Sequence, residues 1–242
     1  MIEIDLNQTH QQLLDLVQNG RKTGESSSNG FARCGLRVPE VRALLKQPLI
    51  QDLQESKHAL KLWHHVYLNT TSYELGSLAI YAFQYRELDR SEFNKLKLWT
   101  SRVDCWEHSD DLSKIYADTL EANPDWVLPV LTKWNQSTNP WQRRQSVVSL
   151  LEYTQKRQRV LPFEQLIKFI EPLLKDPEYY VQKGVGWSLR EIYNAHPDKM
   201  IAFIKARYAD IQPTAWSAAT EKIDKKLKKE LNLQRKNARS NS

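Results

Sequence analysis

A chain of 242 residues is long enough to bury a sizeable core without a disulfide or metal staple. Its 7 Gly and 10 Pro are too few for a turn-dense sandwich, a barrel or a Gly-rich phosphate loop, and Cys34 and Cys105, its 2 cysteines, make no disulfide framework. Eight Trp, with 35 Lys and Arg against 29 Asp and Glu for a formal charge of +6, suit a polyanionic partner.

The first residues, Met1 to Leu6, carry acids where a signal peptide needs a basic start, and no apolar run approaches the length of a membrane span. With so few cysteines this predicts a soluble protein of the cytoplasm. From Ile2 to Leu233 apolar residues recur at spacings of three and four, which predicts an all-α chain. A first helix spans 6–17 and stops at Asn19-Gly20; the polar stretch 21–30 follows as a mobile loop. Pro39 suits a first helical position and opens 40–46. Further helices are predicted over 53–67, 73–85, 92–101, 106–122, 125–134, 141–155, 164–174, 179–195, 199–208 and 214–231, with a basic, fraying tail over 232–242.

Polar-Pro pairs at Asn123-Pro124, Asn139-Pro140, Asp176-Pro177 and His196-Pro197 mark where one helix ends and the next begins. A shift of 39 residues lays Ser149-Leu-Leu-Glu-Tyr153 on Ser188-Leu-Arg-Glu-Ile192 and Arg144 on Lys183; a shift of 72 brings Ser77-Leu-Ala-Ile-Tyr81 onto the Ser149 segment. Self-similarity near this period, each unit a helix pair, predicts a single HEAT-like repeat α-solenoid over 1–242 with a concave basic face for a long ligand.

No GxGxxG, GxxxxGK[ST], HExxH or GxSxG pattern is present, and His64-His65 and His108 have no partners at metal-ligand spacing, so no metal and no cofactor is expected. Three segments carry chemistry-bearing residues on one helical face. Trp106 and Asp110 stand four apart; Trp141 and Arg144 stand three apart; Lys183, Trp187 and Arg190 follow at four and three. In a solenoid, corresponding positions point the same way, and Trp106, Asp110, Arg144, Lys183 and Trp187 would then converge. Each also has a plain reading: Trp187 between Val185 and Leu189 as core, Asp110 as a carboxylate favoured near a helix N-terminus, Arg144 and Lys183 as solvated charges. Gly184 and Gly186 beside Trp187 tip the balance, because each costs about 1 kcal/mol relative to Ala inside a helix and so marks a close approach.

Gly35-Leu-Arg-Val-Pro39-Glu-Val-Arg42, Trp106 with Asp110, Asn139-Pro-Trp141-Gln-Arg143-Arg144 and Gln182-Lys183-x-x-Gly186-Trp187-x-Leu189-Arg190-Glu191 resemble the AlkD-like DNA glycosylases, HEAT-repeat proteins that excise alkylated purines. The resemblance implies a monofunctional enzyme that hydrolyses the N-glycosidic bond of cationic purines, such as 7-methylguanine and 3-methyladenine, in duplex DNA without a base-flipping pocket. It implies Asp110, Trp106 and Trp187 as the catalytic set, Arg144 as the DNA grip with Lys183, Arg143 and Arg190 beside it, and a monomer working in base excision repair in the cytoplasm, on the nucleoid if bacterial. Cys105 stands before Trp106 where the family often has an aromatic residue. The alternatives are a non-catalytic HEAT-repeat protein that binds bent or branched DNA, and a protein scaffold, which has no use for Arg144 and Lys183 on the face of Trp187.

Overall fold

The computed structural model describes residues 5–20, 26–28 and 31–240. Helices account for nearly all of its regular structure, as the apolar spacing predicts, and it divides into two compact units, Met1–Ile115 and Tyr116–Ser242.

In the first unit, α1 (Leu6–Asn19) starts where the Asp5 carboxylate accepts from the amides of Asn7 and Gln8. The expected loop over 21–30 falls largely outside the described residues, but Ser26–Ser28 form a strand, β1, paired antiparallel with β2 (Phe31–Arg33). Then come α2 (Val38–Leu44), α3 (Pro48–Glu55), α4 (Ala59–Asn69), α5 (Tyr73–Tyr81), α6 (Arg90–Leu96) with a 3-10 continuation over Lys97–Arg102, and α7 (Trp106–Ala122). One expected helix over 53–67 is therefore two: the backbone turns extended at Ser56, although the apolar spacing runs through the break. The expected helix 73–85 stops at Tyr81 and ends in a turn with Tyr85 at φ 65°.

All nine residues of α5 are buried, and α1, α2, α4 and β2 pack on it. Buried Glu74 takes hydrogen bonds from the amides of Cys34 (3.0 Å) and Gly35 (2.9 Å), which ties down a turn whose Gly35 lies at φ 87°. Opposite Gly76, where a Cβ would stand 2.9 Å from the ring, lies the fully buried imidazole of His108. It stacks parallel on Tyr73 at 4.7 Å, with Nε2 3.2 Å from the Tyr73 carbonyl and 3.0 Å from Ser77 Oγ. A carbonyl only accepts, so Nε2 carries the proton, and Nδ1 has no hydrogen-bond partner among the described residues. Burial holds this imidazole down to a pKa of about 4.

The second unit holds the end of α7, α8 (Pro124–Asn135), α9 (Pro140–Val148), a 3-10 turn over Thr154–Lys156, α10 (Phe163–Ile170), α11 (Tyr179–Ala195), α12 (Pro197–Arg207), α13 (Pro213–Ala219) and α14 (Lys225–Ser240). Three of the four polar-Pro pairs open helices directly; Pro177 lies two residues before α11 instead. Each repeat is a helix pair. The second members stack as α9 on α11 on α13, with α8 against α9, and α10 and α12 against α11. The expected helix 141–155 ends at Val148, and the chain then turns through Glu152 and Tyr153 at φ 25° and 60°. Of the tail expected to fray, 232–240 continue α14 and 241–242 lie outside the described residues; Arg235, 6% exposed, donates to the carbonyls of Tyr208 and Ile211 and lies over the Trp216 ring.

The stack fits together through two glycines. A Cβ on Gly184 would sit 3.1 Å from Arg144 Cγ and 3.2 Å from Val148 Cγ1 of α9, whereas one on Gly186 would sit 2.5 Å from the Ala215 carbonyl oxygen and 2.8 Å from its Cα in α13. Side chains can shift; backbone resists. Gly186→Ala should therefore destabilise the protein by about 1–3 kcal/mol despite gaining about 1 kcal/mol of helix propensity, while Gly184→Ala stays near neutral, as chemical denaturation would measure.

A second expectation concerns pH. Below pH 6.5 the unfolded chain takes a proton on His108 that the folded chain refuses until about pH 4, so this residue's contribution to stability is lost as pH falls through that window. Burial pushes the carboxyls of Asp104 and Asp111 up to about 6, and these oppose the loss because the folded chain takes their protons first. In an NMR titration the His108 ring resonances should stay constant from about pH 7.5 to 5 and move only near 4; a midpoint near 6.5 would contradict the burial.

Candidate active site

The opening turns of α7 have two unlike sides. Trp106, 47% exposed, and Asp110, also exposed, stand one turn apart on the outer side. Glu107, His108 and Asp111 point into the first unit, and each is held by another element. Arg33 of β2 pairs with Glu107 at 2.9 Å and lies 3.6 Å over the ring of Tyr73, on which His108 stacks. Asp111 takes the Tyr81 hydroxyl at 3.0 Å and is also bonded, through its backbone carbonyl, by Gln84 at 2.9 Å. Arg42 of α2 bonds Gln84 at 2.8 Å, lies 3.9 Å over the Tyr81 ring and approaches Asp111 to 4.0 Å. These contacts set the rotation of α7 about its axis, and that rotation is what turns Trp106 and Asp110 outward.

Cys105 faces inward, packed with Phe31 and Tyr73, and burial pushes its thiol up to about 12. It offers neither a thiolate nucleophile nor a surface contact. Sequence reading missed Arg33, Arg42, Tyr73, Tyr81 and Gln84 as supports of this helix. Only the presence of Arg42 in the Gly35 segment hinted at a role, since contacts across 27 or more residues leave no local spacing to read.

In the second unit the motif on α11 separates residue by residue. Buried Gln182 donates to the carbonyls of Leu173 and Asp176 and so anchors the turn before α11. Gly184 and Gly186 receive α9 and α13, Leu189 is core, and Glu191 takes the amide and hydroxyl of Thr154 through its carboxylate and carbonyl. Lys183 is exposed and Trp187 half-buried. Trp187 meets Tyr153 with ring planes at 89° and centroids 5.7 Å apart.

The arginines expected to grip DNA each make contacts within the fold. Arg144 is only 5% exposed, fits against Gly184 and donates to the Tyr180 carbonyl at 2.8 Å, so it holds α9 to α11. Arg143 makes a two-pronged bond to Asp176 (2.6 and 3.2 Å) and donates to the carbonyls of Ser137 and Thr138. Arg190 pairs with Glu221 at 3.0 Å and Glu191 at 3.4 Å. The physical reason is shared: a guanidinium beside buried carbonyls and carboxylates satisfies them before it reaches solvent. Lys183 is the exposed cation of the four. Trp106 and Asp110 thus belong to the first unit, and Arg143, Arg144, Lys183, Trp187 and Arg190 to the second.

Of the other tryptophans, Trp63, Trp99, Trp134 and Trp216 are buried, as expected of packing residues, and Trp126 is half-buried. Trp141 stacks on Tyr180 at 5.1 Å. Among the described residues no group of three or more His, Cys, Asp or Glu is placed to hold a metal ion, and no helix is long and apolar enough to cross a membrane.

Comparison with known proteins gives these features a family. A "Predicted DNA alkylation repair enzyme from Enterococcus faecalis" superimposes with a TM-score of 0.70 at 19% identity, covering 93% of this chain and all of that one. AlkD2 from Streptococcus mutans gives 0.63 at 19% identity, covering 91% and 100%. At these identities the likeness speaks for the fold. None of the curated proteins matches the chain. The sequence model of the family described as "DNA alkylation repair enzyme" matches residues 11–223, and the chain belongs to that family.

Proposed function

We propose that this protein is a monofunctional DNA glycosylase that hydrolyses the N-glycosidic bond of cationic alkylated purines in duplex DNA, acting as a monomer, with Asp110 as its electrostatic catalyst. The observation that carries the reading is Trp106 and Asp110, exposed on one face of α7 while Glu107, His108 and Asp111 fix the other. Breaking the bond builds positive charge on the sugar; a carboxylate beside it stabilises that charge and orients the incoming water. The purine departs with the bonding electron pair, the water oxygen bonds to C1′, and the proton it gives up passes to solvent water. A purine alkylated at ring nitrogen 3 or 7 loses its positive charge in departing, so no general acid is required and one carboxylate suffices.

Trp106 offers an indole face to the cationic nucleotide, and Trp187 of the second unit is assigned the same kind of contact. Lys183 carries a phosphate contact, which adds affinity without base specificity. Arg144 contributes beneath that surface, by holding α11 against α9.

Three measurements test the assignment. Wild-type protein should release 7-methylguanine from duplex DNA, and Asp110→Asn should slow release by about 10²–10³-fold; equal release by both ends the assignment, and salt-sensitive DNA binding with no release by either favours the non-catalytic DNA-binding alternative. Lys183→Ala should weaken binding to any duplex and lower the slope of log affinity against log salt by about one, without moving the melting temperature. Arg143→Ala should instead lower the melting temperature, because it leaves Asp176 unpaired.

A further inference from the structure

The turn that follows α9 holds two successive residues at positive φ. Glu152 and Tyr153 stand in succession at φ 25° and 60°, where a side chain's Cβ crowds its own backbone and glycine or asparagine would be at ease. Both flanks are clamped. The buried Glu152 carboxylate bonds Arg157 at 3.3 Å, and Arg157 is itself held by Asp118 at 2.8 Å and Glu121 at 3.4 Å. On the other flank the Thr154 amide and hydroxyl bond Glu191 of α11 at 2.9 and 2.7 Å.

What the clamps hold between them is an aromatic ring that adds little to the core, since Tyr153 is 41% exposed. It stands perpendicular to Trp187, so the two rings form a corner. The Tyr153 face already receives a cation: the Lys156 ammonium lies 4.3 Å from its centroid. A strained backbone fixing an exposed ring against a tryptophan, with a face that attracts positive charge, suits a flat cationic ligand.

We propose that Tyr153 and Trp187 form a binding corner in the second unit for the cationic purine nucleotide of alkylated DNA, and that Tyr153 is a substrate-contacting residue. This rests on the reading of the protein as one that acts on such DNA. The strain separates binding from folding. Glycine takes φ 60° without cost, so Tyr153→Gly removes the ring while relaxing the backbone; Tyr153→Asn does the same in part.

The experiment measures melting temperature and, in an Asp110→Asn background that keeps release from confounding it, affinity for duplexes with and without a single 7-methylguanine, by fluorescence anisotropy. Tyr153→Gly and Tyr153→Asn are expected to melt at or above the parent, to bind the lesion duplex about fivefold more weakly and to bind the undamaged duplex unchanged, while Tyr153→Phe stays within about twofold. Lesion affinity untouched by Tyr153→Gly, equal loss on both duplexes, or melting of both relaxed variants well below the parent would overturn the proposal. If the parent does not distinguish the two duplexes, the corner falls whatever the release assay gives. If the wild type releases no base but lesion preference depends on Tyr153, the catalytic reading falls and the corner stands.

Discussion

Much in the second unit depends on how closely α11 approaches its two neighbours. The Ala215 backbone of α13 comes to within 2.5 Å of where a Cβ on Gly186 would stand, and Arg144 and Val148 of α9 fill the space that Gly184 leaves open on the other side. Helices with ordinary side chains at a crossing pack 8–10 Å apart; glycine at the crossing lets backbones come closer. Once α11 is seated, its remaining groups are committed in turn. Gln182 ties its start to the preceding turn, and Glu191 ties its later part to Thr154, so the orientation of Lys183 and Trp187 follows from packing beneath them.

The first unit orients α7 by other means. Glu107, His108 and Asp111 are polar, and each meets a partner from outside α7: Arg33 in β2, Tyr73 and Tyr81 in α5, Gln84 in the turn after it. A polar side chain turned inward has few satisfied arrangements, whereas an apolar one tolerates many. For a helix meant to show one carboxylate and one indole in a defined direction, directional contacts fix the rotation better than apolar burial alone. The tension shows in Asp111, whose burial pushes its carboxyl up to about 6 despite the Tyr81 hydroxyl and the nearby Arg42.

What the sequence made legible follows the range of the forces involved. Helices α7 and α11 were readable to the residue because their apolar spacing is unbroken over 17 positions and they have clear ends. The split between α3 and α4, and that between α13 and α14, were not, because the core-facing spacing continues across each break. Gly184 and Gly186 could be read as close approaches from their cost alone, though not what approaches them. The partners of the arginines were not legible for a related reason. A helical wheel places Arg143, Arg144 and Arg190 at a surface edge, but Asp176, the Tyr180 carbonyl and Glu221 come from residues 31 to 36 positions away. Nor does spacing announce the left-handed Tyr153, since its neighbours include neither glycine nor asparagine.

Those partners bear on what the charge surplus means. Arg33, Arg42, Arg143, Arg157, Arg190 and Arg207 are each paired with carboxylates of the same unit, so their charge is locally cancelled and contributes little to a field felt by DNA. Because each pair cancels a negative charge along with the positive one, the net +6 falls on groups outside these pairs. Arginine has gone into holding the architecture because its planar fork satisfies two acceptors at once, and lysine, a single point charge on a flexible stem, is left at the surface in Lys183. On such a surface recognition has to come from elsewhere. Exposed rings fixed in direction, Trp106 on α7 and Tyr153 against Trp187, attract a cation through their faces without adding net charge, and that preference would set an alkylated purine apart from the neutral bases around it.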